Sequence, residues 1–200
     1  MRPRLMLLTL VFLSLAGAPQ SQTGGVPQQA AKVQQAEQTV FAAEALPGEA
    51  LIKKPANIPD GALQILRDTL HRGTINCIKN VNGMTPDQIP ASWFVASEIH
   101  LDGPDQADLI VQPNDSLPSP YPNRCLFGAH VVPFWVLGNT NGRYGLRLET
   151  VADGLKVLDS RTNWFRDIQT YSATIAARTT LLYKVSVYQY QLAEKKTEQN

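Results

Sequence analysis

Hydrophobic and polar positions alternate with a period of two through much of the chain beyond Cys125, the rhythm of strands with one face buried. Residues 98–111 read EIHLDGPDQADLIV. Trp93, Val95 and Ile99 lead into this stretch, Leu109, Ile110 and Val111 lead out, and the acids Glu98, Asp102, Asp105 and Asp108 crowd around Gly103 and Pro104. Apolar flanks around Asp, Gly and Pro predict strand, tight connection, strand. Residues 134–137 are apolar on both sides, Asn139-Thr140-Asn141-Gly142 reads as a turn, and Tyr144, Leu146 and Leu148 then alternate with Arg143, Arg147 and Glu149. That pattern predicts a hairpin with one wet face. Val151, Leu155, Val157 and Leu158 extend it around Asp153-Gly154. Tyr171, Ala173 and Ile175 alternate with Thr170, Ser172 and Thr174, and Leu181, Tyr183, Val185 and Val187 share one face of a last strand. A charged run over 193–200 reads as a disordered tail.

Ahead of the strands the period changes. Leu63, Ile65, Leu66 and Leu70 recur at helical spacing after Pro59-Asp60, and Gly73 follows Arg72. An amphipathic helix over 61–72 is expected, with Asp60 as N-cap, Gly73 as its stop and His71 in its last turn as a surface residue. Residues 74–81, carrying Cys77, suggest a short strand. The resulting fold class is α+β: mainly antiparallel β sheet, or sandwich-like, with one N-terminal amphipathic helix.

The first residues change the picture from fold to destination. Arg2 and Arg4 precede an apolar run over 5–15, followed by small residues at Ser14, Ala16, Gly17 and Ala18. This is the pattern of a secretory signal peptide over 1–16, with cleavage after Ala16 or Ala18. The run is shorter than the roughly 20 apolar residues that span a bilayer. Residues 17–57 shift to Gln, Ala, Gly and Pro and read as a flexible linker, leaving a single β-rich domain over 58–192. Cys77 and Cys125 are the two cysteines of the chain. In an exported chain an even pair predicts one disulfide.

Charge excludes one class of partner. There are 18 Lys and Arg against 17 Asp and Glu, and removal of Arg2 and Arg4 with a leader leaves 16 against 17. No basic face is available to displace counterions from nucleic acid.

The acidic turn resembles the FG-GAP or VCBS-type repeats found in β-propeller blades, in which a strand, an Asp-x-Asn/Asp-Gly-Asp-Gly-x-x-Asp turn and a second strand hold calcium. In that likeness Asp108 falls on the last acid, Asp102 on the third position and Gly103 on the glycine after it. His100, Pro104 and Asp105 depart from the pattern. Asp102, Asp105 and Asp108 are therefore the candidate calcium ligands, and a site that has lost two carboxylates is expected to have lost its calcium. A complete propeller needs at least about four blades, which a chain of 200 residues without internal repeats does not supply. A looser resemblance, to uncharacterised exported bacterial proteins, rests on Asn123-Arg124-Cys125-Leu126-Phe127-Gly128-Ala129 and on Arg161 to Ile168. There Trp164 and Phe165 replace the Gly and Tyr of a Thr-Asn-Gly-Tyr-Arg-Asp-Ile pattern. It implies export and a β-rich domain.

Candidate chemistry is sparse. Trp164, Phe165, Arg166 and Asp167 bring stacking surface, a guanidinium and a carboxylate into one turn, as a glycan or peptide site does. The same residues also fit a hydrophobic corner in which Arg166 and Asp167 pair. No Gly-x-Ser-x-Gly motif, metal-spaced histidines or other catalytic constellation is present, so no cofactor is expected. The sequence thus points to an exported, non-catalytic binding or structural domain whose partner is a protein or glycan of the envelope. The alternative is a hydrolase or inhibitor acting on polysaccharide through the Asp102 to Asp108 turn.

Overall fold

The computed structural model describes residues 39–42, 55–128 and 131–199. Ten strands form two antiparallel five-stranded sheets. One sheet contains β2 (Pro55–Ala56), β3 (Phe94–Ile99), β4 (Asp108–Pro113), β5 (Val132–Thr140) and β6 (Arg143–Ala152), in that spatial order. The other contains β1 (Thr39–Ala42), β7 (Gly154–Thr162), β8 (Phe165–Ala173), β9 (Ala177–Ser186) and β10 (Gln189–Gln199). The strand, turn and strand expected around residues 98–111 are β3 and β4. The Asn141-Gly142 turn joins β5 to β6, with both residues at the positive φ that a tight two-residue hairpin requires.

The β2–β6 sheet is covered on both faces. Phe94, Ala96, Leu109, Val111, Trp135 and Leu137 face two helices, α1 (Asp60–Asp68) and α2 (Arg72–Asn82), through Ala62, Leu63, Leu66 and Ile78. Ile99, Ile110, Phe134, Val136 and Leu148 face Leu155, Val157, Ile168 and Val185 of the second sheet. Central strand β4 is accordingly buried at every position. That is why its sequence is an apolar run rather than an alternation.

Several boundaries differ from the sequence reading, each for a local reason. Helix α1 ends at Asp68, with Thr69 as its C-cap, and Asp60 sits one position inside Pro59, which holds the N-cap without a side-chain bond. Residues 74–81 are helix α2 and not a strand. Gly73 lies in its first turn, and the helix stops at Gly83, whose φ of 67° closes it in the left-handed conformation. His71 therefore stands at the start of α2. Residues Lys195 to Gln199 are not a frayed tail. They belong to β10, whose Lys196–Thr180 and Glu198–Arg178 registers pair it with β9. Within the expected linker, β1 pairs with β7 and β2 with β3, while the remainder of 17–57 and the leader over 1–16 lie outside the described residues. Asp153-Gly154 does not close a hairpin, because β6 and β7 belong to different sheets. The chain crosses between them there, held where Asp153 Oδ2 accepts the Ala173 N–H at 2.5 Å.

Cys77 and Cys125 form the expected disulfide, with Cα atoms 5.7 Å apart. Among the described residues no helix is long and apolar enough to cross a membrane.

Candidate functional site

Four turns meet at one end of the sandwich: the acidic connection over 100–107, the β5–β6 turn, and the β7–β8 and β9–β10 hairpins. Antiparallel order places them together, and specific hydrogen bonds tie them. Gln106 and Asn141 bond reciprocally, side-chain amide to Oδ1 at 3.0 Å and backbone N–H to Oε1 at 2.7 Å. The Arg166 N–H donates to the Leu101 carbonyl at 2.8 Å. The Asn163 amide donates to the Val185 carbonyl at 3.0 Å, bridging the two hairpins.

This end concentrates the backbone strain of the fold. Among the described residues the non-glycine positions with positive φ are Asn141, Asn163, Trp164 and Val187, and all four lie in these turns. Asparagine tolerates this region, but Trp164 at 73° and Val187 at 62° place a bulky and a β-branched side chain where steric conflict favours glycine. The same two side chains are exposed, Trp164 by 84% and Val187 by 77%, beside the largely exposed Tyr188. Unfavourable backbone and unfavourable hydration thus coincide at two neighbouring hairpin tips.

The polar groups around Trp164 are turned inward. Arg161 Nη1 donates to the Trp164 carbonyl at 2.6 Å and also reaches the Leu101 carbonyl at 3.4 Å. Arg166 does not pair with Asp167. Its guanidinium binds Asp159 at 2.7 Å and the Leu158 carbonyl at 2.9 Å, while Asp167 lies on the opposite face of β8, buried, and accepts from the Ser160 hydroxyl at 2.8 Å. Phe165 packs against the inter-sheet core. Of the four residues read as a possible site, only Trp164 is presented to solvent, and the other three hold its turn in place.

Arg147 was missed as a member of this end. A β-bulge in the β5–β6 pairing sets Val136 opposite Leu148 but Leu137 opposite Leu146, leaving Arg147 as the extra residue. Its guanidinium carbon lies 5.7 Å from the Phe165 ring centre and 5.6 Å from that of Tyr188, and Nη1 donates to the Tyr188 carbonyl at 2.7 Å. The cation therefore braces the β9–β10 tip from below. Gly138 makes room for it, since a Cβ at that position would collide with the Arg147 side chain. Gly138→Ala is expected to expel Arg147 and to destabilise the protein by about 1–2 kcal/mol. Fast amide hydrogen exchange at Tyr188 would show the tip released, whereas unchanged exchange there would disprove the brace.

The three candidate calcium ligands separate. Both oxygens of the buried Asp108 are engaged by backbone, Oδ1 accepting from Asn139 N–H at 2.8 Å and Oδ2 from Leu101 N–H at 2.9 Å. Burial raises the Asp108 pKa, against the opposing pull of these two donors. Asp102 and Asp105 instead line a small open pocket of about 310 Å³ with Asn139 and Asn141. Among the described residues no three His, Cys, Asp or Glu side chains are grouped as a metal site requires. The last acid of the turn is committed to hydrogen bonds with the chain. Between the sheets below it, Tyr190 donates to the Arg166 carbonyl at 2.5 Å. Burial, with Asp108 and Asp167 nearby, pushes its hydroxyl far above the ordinary tyrosine range, so it remains a donor.

Compared with known proteins, the chain has no match to a family model, to a curated protein or to a solved structure.

Proposed function

We propose that this chain is an exported, non-catalytic binding domain of the cell envelope, and that it engages a protein partner through the turn-bearing end with Trp164 and Val187 at its centre. The observation that carries this reading is the coincidence at Trp164 of a left-handed backbone and almost complete exposure. A side chain needed only for folding is not held in a strained turn away from the core. Trp, Tyr and Arg are the residue types that dominate binding energy in protein interfaces, and Trp164, Tyr188 and Arg147 cluster here. A glycan site would need hydrogen-bonding groups beside the stacking ring, yet those nearest Trp164 are engaged by the turn itself. The disulfide supports a destination in an oxidising compartment.

The hydrolase alternative needs two carboxylates free to exchange protons. Asp108 is engaged on both oxygens, which leaves Asp102 and Asp105, and no observation places this reading ahead.

Trp164→Gly tests the proposal without risking the fold. Relief of the left-handed strain is worth about 1–2 kcal/mol and the added chain entropy of glycine opposes it by about 0.5–1 kcal/mol, so the variant is expected to be as stable as the wild type or more stable by up to about 1.5 kcal/mol. Immobilised wild-type protein should retain an envelope protein that the glycine variant retains at least about tenfold less, the loss expected of an interface hot spot. Equal retention by both, or polysaccharide turnover lost in Asp105→Asn, would reject the binding reading.

A further inference from the structure

A second site lies on the far side of the β2–β6 sheet, unconnected with the turn-bearing end. A cavity of about 420 Å³ opens between the helix pair and strands β5 and β6, walled by Leu70, Leu126, Phe127, Pro133, Trp135 and Val151. Its size is that of small-molecule sites. Two polar features distinguish it from a packing defect. Trp135 is 2% exposed, and its indole N–H is buried without an acceptor. Such a donor carries its full desolvation cost with no bond to offset it. Glu149, the cross-strand partner of Trp135, shares its face of the sheet and lines the same cavity. Its carboxylate meets the exposed His71 at 3.4 Å at the rim.

We infer that this cavity is a binding site for a small, neutral, apolar molecule carrying a hydroxyl group, which accepts from the Trp135 indole N–H and donates to the Glu149 carboxylate. The class follows from what the two residues lack. The indole N–H needs an acceptor and the carboxylate, which meets His71 through Oε1, can accept from a further donor, and a hydroxyl is both in one atom. An anionic ligand would be repelled by Glu149, and an ammonium has no lone pair for the indole. The apolar walls take the rest of the molecule, and burial of that body supplies most of the affinity.

The test uses the full, disulfide-bonded chain and pairs of probes that differ in one group: phenol and toluene, cyclohexanol and methylcyclohexane, 2-naphthol and 2-methylnaphthalene. Calorimetric titration should show one saturable site for at least one hydroxylated member, with affinity about tenfold or more above its methyl partner, the scale of one hydrogen bond. In Trp135→Phe, which keeps an aromatic ring and removes the donor, that preference should disappear. Val151→Arg, at an exposed position on the rim, should block binding of every probe with an unchanged melting temperature. It serves as the independent check if Trp135→Phe does not fold. Absence of saturable binding for all three alcohols, equal binding of each pair, or binding that survives Val151→Arg would overturn the inference and leave the indole N–H to a water.

Discussion

Replacing Asp108 by Ala is expected to destabilise the protein by about 2–4 kcal/mol, because the buried Leu101 N–H loses this acceptor at about 1–3 kcal/mol and the part-buried Asn139 N–H loses it at a smaller cost. Asp108→Asn should cost less, since its carbonyl still serves one donor while its amide opposes the other. The pH dependence separates this structural role from a metal or catalytic one. Burial raises the folded-state pKa of Asp108 above the ordinary 3.8. The folded protein therefore binds this proton more tightly than the unfolded chain. On acidification from neutral pH toward 3.8, the group's contribution to stability increases, and it falls again as pH rises through the folded-state value. Urea unfolding across that window should show the wild-type advantage over Asp108→Asn widening as pH falls. A constant advantage would mean that Asp108 titrates alike in the folded and unfolded chain, a narrowing one that the fold holds it ionised, and calcium-dependent stability would restore the metal reading.

The acidic turn also shows how much of the site was legible in sequence. Its position between β3 and β4 followed from apolar flanks and turn residues alone, and so did the Asn141-Gly142 hairpin. What sequence could not give was the direction of the side chains. Asp108 points into the inter-sheet layer because residue 108 faces Ile99 in the ladder. The bulge at Arg147 has a larger consequence. Without it Arg143, Arg147 and Glu149 share one wet face. With it, the strand beyond Arg147 changes face, so Leu148 enters the inter-sheet core while Glu149 turns to the helices and the Trp135 cavity. A one-residue slip moves every later side chain across the sheet, and no propensity announces it.

Other errors had signals that were outweighed. In residues 74–81 the β-branched Thr74, Ile75, Ile78 and Val81 suggested a strand, but Ile75 and Ile78 recur at three residues and Gly83 supplies a helix stop, as the structure uses them. The charged residues of β10 are what an edge strand carries to discourage pairing with other chains, and they read as a tail for that reason. Trp164 was the most informative position. The structure gives it the φ of 73° that glycine would adopt freely. Its side chain is also largely exposed, beside Val187 and Tyr188.

The disulfide is the second large determinant of stability, and its effect should be local. Cys77 lies in α2 and Cys125 in a short 3-10 turn, 48 positions apart in sequence. Closing such a loop lowers the entropy of the unfolded chain by about 4 kcal/mol in the chain-entropy model. The double variant Cys77→Ser, Cys125→Ser is therefore expected to lose about 2–4 kcal/mol. The segment it anchors, between β4 and β5, has few other attachments. The buried Asn123 amide donates to the Trp93 carbonyl at 3.0 Å and to the Asn114 carbonyl at 2.6 Å, and the Asn82 amide reaches the Pro122 carbonyl at 3.0 Å. Cys125 packs against the core on the helix side of the β2–β6 sheet, whereas β7, β8 and β9 pack on its opposite face. Hydrogen exchange of the reduced variant should show lost protection in α2 and over 114–128 before any change in β8 and β9. Because Cys125 also lines the Trp135 cavity, affinity for the hydroxylated probes should fall in parallel, while Trp164-dependent capture persists. Simultaneous loss of protection in both sheets would instead make the disulfide a global constraint and join the two sites into one cooperative unit.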